Sequence, residues 1–147
     1  MNRLNWQALE WILTVLWIGS LWTLGLLVAP TLFRLLPDNR TLAGTLAGHL
    51  FTLESWLGLT CGSILLILVI TQAGRYSTGR TAVLGAMLVL ILLGEFGVRP
   101  LLDALKAQGL SQSPAFGRWH AVSALLYLAN SLLGLAWVLL TAGRQGS

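Results

Sequence analysis

The chain has 147 residues, of which 56% are hydrophobic and only 10% are charged, and its mean hydropathy is +0.77. Soluble domains usually carry about 25% charged residues, so the composition excludes an ordinary soluble domain and indicates a lipid bilayer as the solvent. The net charge of +4 comes from basic residues scattered along the chain, and because they form no basic stripe, nucleic-acid binding is not expected.

Four apolar stretches are long enough to cross a membrane, which takes about 20 mostly apolar residues. They lie at about 11–30, 50–71, 81–98 and 116–141. The first exceeds the apolar run of about 7–15 residues in a signal peptide, so we expect it to be retained as a span. Short connections predict antiparallel neighbours. The sequence therefore predicts an all-α fold, an up-down-up-down four-helix bundle that forms a single transmembrane domain over 1–147.

Basic residues near the ends of the spans bear on orientation, because cytoplasmic loops are enriched in lysine and arginine. One side holds four of them, namely Arg3, Arg75, Arg80 and Arg144. The other side holds five, which are mixed with four acids, so raw counts do not decide. Since the first set is mostly without nearby acids, we predict a multi-pass protein of the cell (inner) membrane with both termini in the cytoplasm.

A stripe of small residues runs along one face of the second span, and we call it the glycine face. It consists of Gly44, Gly48, Ser55, Gly58 and Gly62, which fall within about 40° of one line at 100° per residue. Small residues mark the packing faces of membrane helices. The face predicts a seat for a neighbouring helix of the same chain or of a second copy, and a small bundle's need for its own close contacts favours the former.

Two prolines lie at the ends of spans, where each removes a backbone hydrogen-bond donor. Pro30 ends a Val-Ala-Pro sequence nineteen residues before His49, and Pro100 ends a Val-Arg-Pro sequence twenty residues before His120. A proline here predicts a kink that shapes the bundle or, as the alternative, a polar opening. The repeated pattern predicts two helical hairpins related by an axis along the membrane normal, with the two histidines equivalent.

The third span contains a carboxylate at Glu95, followed by Arg99 and Asp103 at four-residue intervals. Residues four apart share a helix face, so the guanidinium is expected to lie between two carboxylates. A lone carboxylate in hydrocarbon would cost at least a few kcal/mol. Pro100 disfavours helix at Arg99 and makes the Asp103 half of this arrangement less secure. The Glu95–Arg99 pair is either a structural ion pair or part of an ion, proton or ligand site, and the sequence leaves both open.

The polar residues of the spans gather on one side of the predicted bundle, toward its non-cytoplasmic face. The predicted pocket comprises Glu95, Arg99, His120, Asn130, Glu54, His49 and Arg34. Asn130 belongs to a polar stripe on the fourth span and is expected to hydrogen-bond another helix. His49 and Glu54 lie about 140° apart round an unbroken helix, so they are not expected to bind one metal ion together. His49 and His120 are the minor candidates for metal ligation.

Two stretches carry a resemblance to a known family: "FRLLPDNRTLAGTLAGHLF" at 33–51 and "AFGRWHAVSALLYLANSLLGL" at 115–135. They contain a Phe-Arg-x-Leu-Pro pattern, a glycine-spaced helix start that ends in Leu-Phe, and Phe-x-x-x-His with serine and asparagine further along. The matching positions are Phe33, Arg34, Leu36, Pro37, Leu50, Phe51, Phe116, His120, Ser123 and Asn130. With this pattern the chain resembles the transmembrane protein 205-like family, in particular its compact bacterial branch of unknown function.

The resemblance implies a multi-pass membrane protein of about this size. The eukaryotic branch of the family is associated with resistance to a platinum drug, which implies metal or export handling. More distantly, the layout is similar to copper-resistance D-like four-helix membrane domains and their haem-pathway relatives, in which histidines matter. This chain has only two histidines and no methionine-rich or cysteine-rich motif, so dedicated copper binding is not expected.

The leading functional hypothesis is a membrane protein whose polar pocket binds or passes a small ligand or metal ion. The second is a structural or assembly partner, either a second copy or another membrane protein, docking through the glycine face. The third is a haem- or metal-dependent membrane enzyme that uses His49 and His120, with haem or copper as the cofactor considered. The sequence contains no phosphate loop, nucleophile elbow or zinc-protease helix, so we predict neither enzymatic activity nor a resident cofactor. The lipid bilayer is the expected environment.

Overall fold

In the computed structural model, the described residues 3–72 and 78–143 form helices and their connections, without a strand. Four helical stretches are long and apolar enough to cross a membrane. They are Asn5–Leu35, Arg40–Thr71, Thr78–Ala107 and Pro114–Ala142. The prediction of an all-α fold with four candidate membrane spans is therefore confirmed. Two arginines of the orientation argument, Arg75 and Arg144, lie outside the described residues.

The chain divides into two compact units, an N-terminal unit, Met1–Ser77, and a C-terminal unit, Thr78–Ser147. Each unit contains two of the candidate spans, which pack against each other. In both units a short connection joins the spans, so the two helices are antiparallel.

The first span of the N-terminal unit is continuous through α1 (Arg3–Thr23), a π-helical segment (Leu24–Val28) and α2 (Ala29–Leu35). The second span is α3 (Arg40–Gln72). Asn39 begins α3 by accepting a hydrogen bond from the Leu42 N–H to its side-chain oxygen at 3.0 Å. The buried positions of α1 recur every three or four residues, which is the spacing of one helix face. They are Glu10, Leu13, Thr14, Trp17, Ile18 and Leu21.

The C-terminal unit repeats this order, with α4 (Thr78–Leu92), a second π-helical segment (Leu93–Val98), α5 (Arg99–Ala107) and α6 (Pro114–Ala142). Gly109 follows the end of α5 with a φ of 71°, a left-handed conformation that glycine adopts without steric cost. Ser113 then caps α6, because its hydroxyl oxygen accepts from the Phe116 N–H at 3.2 Å. α6 packs against α4, the second π-helical segment and α5.

A π-helical segment ends two residues before the proline of each hairpin. The Ala29 N–H donates to the Leu24 carbonyl, and the Arg99 N–H donates to the Gly94 carbonyl, each five residues back. A disturbance of the helix was predicted at Pro30 and Pro100, whereas this extra residue per turn was not. The shared order supports the predicted pair of similar hairpins, whereas the equivalence of the two histidines stays a prediction.

The outer surface of the helices carries many exposed apolar side chains, as a lipid-facing surface requires. Leu26 is 73% exposed, and Leu53 and Leu139 are exposed to similar degrees. Contiguous apolar surface of this kind marks contact with a membrane. The spans of 29 to 32 residues are about 45 Å long at 1.5 Å per residue, and they exceed a hydrocarbon core of about 30 Å. A helix of this length crosses such a core with a tilt or extends beyond it at its ends.

Candidate intramembrane polar sites

Four charged side chains run along one face of the C-terminal unit, from the second π-helical segment into α5, and we call them the ion-pair ladder. Nη1 of Arg99 donates to Oε1 of Glu95 at 2.6 Å, and Nε of Arg99 donates to Oδ2 of Asp103 at 3.4 Å. Nζ of Lys106 lies 3.6 Å from Oδ1 of Asp103. The predicted ion pair between Glu95 and Arg99 is confirmed, and the ladder extends one residue further than predicted.

Pro100 does not break the ladder, although the sequence analysis expected it to weaken the Asp103 half. The proline is the second residue of α5, directly after Arg99 and the π-helical segment. Arg99 keeps helical dihedral angles of φ −59° and ψ −46°. The residues on both sides of the proline therefore remain in helix, and Asp103 stays on the face of Arg99.

Glu95 lies near the middle of its membrane helix. The stretch Thr78–Ala107 has its midpoint between Leu92 and Leu93, so Glu95 is within three residues, or about 4 Å along the axis, of that point. Its side chain is 13% exposed and that of Arg99 is 32% exposed. Because a charge at this depth requires compensation, the 2.6 Å contact with Arg99 accounts for the carboxylate's position.

Asn130 lies near the middle of α6 and is 4% exposed, with an Oδ1 that has no hydrogen-bond partner. The predicted hydrogen bond to another helix is therefore not made at this atom. Nη2 of Arg80 donates to Oγ1 of Thr141 at 3.5 Å and thus links the antiparallel helices α4 and α6. Counting eleven residues inward from each partner brings Asn130 to within about one turn of Ile91, which is itself about one turn from Glu95.

Glu54 is the polar residue at the middle of α3 in the N-terminal unit. The stretch Arg40–Thr71 has its midpoint between Ser55 and Trp56, within two residues of Glu54. The side chain is buried, and its Oε1 has no hydrogen-bond partner. Glu54 therefore differs from Glu95, whose carboxylate is paired.

The remaining predicted pocket residues lie toward the ends of their helices and are exposed. They are Arg34, His49 and His120. The His120 ring stacks on that of Phe116, with centroids 6.1 Å apart and an angle of 8° between the ring planes. Within 3–72 and 78–143, no three His, Cys, Asp or Glu side chains are grouped so that they could hold a metal ion. Neither histidine therefore belongs to a group of three potential metal ligands in the described part of the chain.

The family described as "Domain of unknown function (DUF4149)" matches residues 12–111, about two thirds of the chain. The chain belongs to this DUF4149 family. The match includes Glu54 and the ion-pair ladder, and it ends before α6 with Asn130 and His120. Searches of curated proteins and of solved structures found no match.

The glycine face of this DUF4149 protein is buried along only part of its length. Gly58 and Gly62 are buried, and Gly48 and Ser55 are half-buried. At Gly44, an added Cβ would meet nothing within 4 Å. α1 packs on α3 in the same unit, so a helix of the same chain is available to contact the buried part. The outer part at Gly44 has free space beside it.

A buried cluster of Arg80, Trp137 and Thr141 in the DUF4149 chain was not predicted from the sequence. Arg80 was placed there among the basic residues that flank the spans. Arg80 is 3% exposed, and its guanidinium carbon lies 4.6 Å from the centre of the Trp137 ring. Its hydrogen bond to Thr141 adds a second contact from α6. The signal that points to it is the four-residue spacing of Trp137 and Thr141, which puts an aromatic ring and a hydroxyl on one face.

Replacing Trp137 with leucine is expected to lower the free energy of unfolding by about 2 kcal/mol, because the change removes the cation–π contact and leaves a gap in a fully buried position. Reversible unfolding in mixed detergent micelles measures the change. Trp119→Leu is the matched control, since Trp119 lies on the same helix but is 38% exposed. Equal losses in both variants would contradict a specific contribution from the cluster.

Proposed function

We propose that this DUF4149 protein binds or passes a small polar ligand within the membrane, at a site formed by Glu95, Arg99 and Asn130 of the C-terminal unit. The observation that carries the proposal is the paired carboxylate and guanidinium near the middle of a membrane helix. Ionisable groups at this depth are costly, and their default interpretation is functional. Glu95 also lies within a π-helical segment, and such segments are frequent at functional sites.

The free hydrogen-bonding groups of the site indicate what it would recognise. The two ladder bonds of Arg99 occupy two of the five N–H donors of a guanidinium. Oδ1 of Asn130 is an acceptor without a partner. A ligand with both an acceptor and a donor group, such as a small zwitterionic amino acid, would satisfy both sides.

The charge balance of the ladder favours a ligand without net charge. Two acids and two bases alternate along it, so the ladder itself is neutral. It extends from Glu95 to Lys106 near the end of α5, a distance of about 16 Å at 1.5 Å per residue. The ladder would thus provide polar contacts from the headgroup region to the middle of the helix.

A panel of small compounds tests the proposal on the purified protein in detergent. Amino acids, hydroxy acids, amines and inorganic metal salts are compared for their effect on the melting temperature. We expect the amino acids to raise it in the wild type and not in Asn130→Leu. Thr60→Val, which alters an exposed hydroxyl bonded to its own helix, is the control and should keep the response. A response to the charged compounds or metal salts without a response to the amino acids, or a response to no compound, would contradict the proposal.

Asn130→Leu is expected to raise the free energy of unfolding by about 1 kcal/mol, because it removes a buried polar group that has no partner at Oδ1. Unfolding in mixed micelles measures this change. If the variant is more stable and no longer responds to ligand, Asn130 has a functional role, because functional sites are often retained at a cost in stability. A destabilised variant would instead assign Asn130 a structural role.

A second candidate function is docking of another membrane protein on the outer part of the glycine face. The observation that favours it is the free space beside Gly44. Gly44→Leu would then abolish co-purification of the partner without lowering the melting temperature.

We also propose that the chain is related to the transmembrane protein 205-like family. In this proposal it lies in the inner membrane, with both termini in the cytoplasm. The stretch 33–51, which carries part of that resemblance, lies within the family match.

A further inference from the structure

Glu54 provides a further site, in the N-terminal unit, that the proposed ligand site does not use. We propose that Glu54 is a proton-binding site within the membrane and that it is present as the neutral carboxylic acid at neutral pH. The inference is independent of the proposed ligand, because it rests on the surroundings of this one side chain.

The burial of Glu54 disfavours an ionised carboxylate. The residue is 7% exposed, lies near the middle of α3, and has an Oε1 without a hydrogen-bond partner. Transfer of an ionised carboxylate from water to an apolar environment without compensating hydrogen bonds is far more costly than transfer of the neutral acid. Binding a proton removes the charge and most of this cost.

No charged group of the packed elements lies at the level of Glu54. α1, the first π-helical segment and α2 pack against α3, and their charged residues are Arg3, Glu10 and Arg34. Glu54 lies fourteen residues after Arg40, the first residue of α3. Counting fourteen residues back from Leu35, the last residue of the antiparallel partner, places the level of Glu54 near Leu21. Glu10 and Arg34 are then more than ten residues away, or about 15 Å.

The other titratable groups of α3 do not compensate the carboxylate either. They are Arg40, His49 and Cys61. Arg40 is about 21 Å away along the axis, and His49 is exposed and lies about 140° away round the helix. Cys61 is buried on the same face about 10 Å away and carries no positive charge.

The surroundings of Glu54 suit a proton better than a metal ion. Calcium takes about six to eight oxygen ligands and magnesium about six. In the described part of the chain, Glu54 belongs to no group of three or more potential metal ligands. A proton needs only one carboxylate oxygen, so it is the cation that this isolated acid can hold.

A hydrophobic carbodiimide, dicyclohexylcarbodiimide, reports on such a group because it partitions into lipid and reacts with protonated carboxyls. The carboxyl oxygen bonds to the central carbon of the reagent while the acid proton passes to one of its nitrogens. The acyl group then moves from oxygen to nitrogen and leaves a stable N-acylurea. The reaction is an addition and a rearrangement, so it needs no oxidant and releases no leaving group.

The full-length protein, reconstituted in phosphatidylcholine vesicles, is treated with the reagent, and adducts are mapped by mass spectrometry. We expect an adduct on Glu54 that is lost in Glu54→Gln and retained in Glu95→Gln. Labelling should decrease as the pH rises, because the reactive form is the protonated one. A water-soluble carbodiimide should label the exposed Asp38 and leave Glu54 unlabelled.

Two results would overturn the inference. One is the absence of a Glu54 adduct at neutral pH in protein whose Asp38 reacts with the water-soluble reagent. The other is equal labelling of Glu54 and the ion-paired Glu95, which would mean that burial without a cation has no influence. Matching melting temperatures of wild type and Glu54→Gln establish that both are folded. Failure of the ligand panel leaves the labelling result unaffected, so the two proposals are tested separately.

Discussion

Replacing Arg99 with glutamine is expected to lower the free energy of unfolding by about 3 kcal/mol, because it leaves the Glu95 carboxylate near the middle of a membrane helix without its cation. Among the described residues, Arg99 is the one cation that Glu95 contacts. Breaking one side of a buried pair costs more than the pair contributes, because the remaining charge is uncompensated. Reversible unfolding of the reconstituted protein in mixed micelles measures the loss.

The reciprocal change, Glu95→Gln, is expected to cost about 1 kcal/mol, because Arg99 retains its bond to Asp103. The double variant should recover most of the loss caused by Arg99→Gln, since no unpaired carboxylate remains at Glu95. This asymmetry distinguishes a coupled ion pair from two independent side chains. Losses that are equal for the two single variants and additive in the double variant would contradict the coupling.

Gly58→Leu is expected to have a comparably large effect, lowering the free energy of unfolding by about 3 kcal/mol. Gly58 is buried at the middle of α3, the helix on which α1 packs, and a leucine there would force the packed elements apart. Membrane helices gain little from the hydrophobic effect between them, so lost close packing is not offset by the larger apolar side chain.

The glycine face supplies a matched control for this prediction. Gly44→Leu makes the same chemical change where an added Cβ meets nothing within 4 Å, and we expect a change within about 0.5 kcal/mol. Circular dichroism during thermal unfolding compares the two variants at equal detergent concentration. If both variants were equally unstable, intrinsic helix effects of the glycines rather than packing would be responsible.

The number of spans and the Glu95–Arg99 pair were predictable because both depend on local sequence. A membrane span needs only a run of apolar residues, and an ion pair within one helix needs only a four-residue spacing. The ladder's continuation to Lys106 follows the same rule, with a spacing of three residues. These features require no knowledge of which helices pack together.

The features that escaped prediction depend on partners far away in sequence. Arg80 lies at the start of a span, where a basic residue is usually exposed. Its burial depends on Trp137 and Thr141, which lie about sixty residues later. The unpaired Oδ1 of Asn130 depends on what the neighbouring helix offers at its level. The π-helical segments were missed because a proline predicts a disturbed helix without specifying whether it bends or takes in an extra residue.

Each π-helical segment holds one residue more per turn than the α-helix around it. Deleting one residue from the second segment, such as Gly97, would restore the α-helical spacing. Because about five residues of a π-turn cover the rotation of about four residues of an α-helix, Arg99 and Lys106 would keep their direction relative to α4. In an alignment of relatives, a one-residue gap between Leu93 and Val98 is therefore expected to leave the ion-pair ladder on the same face.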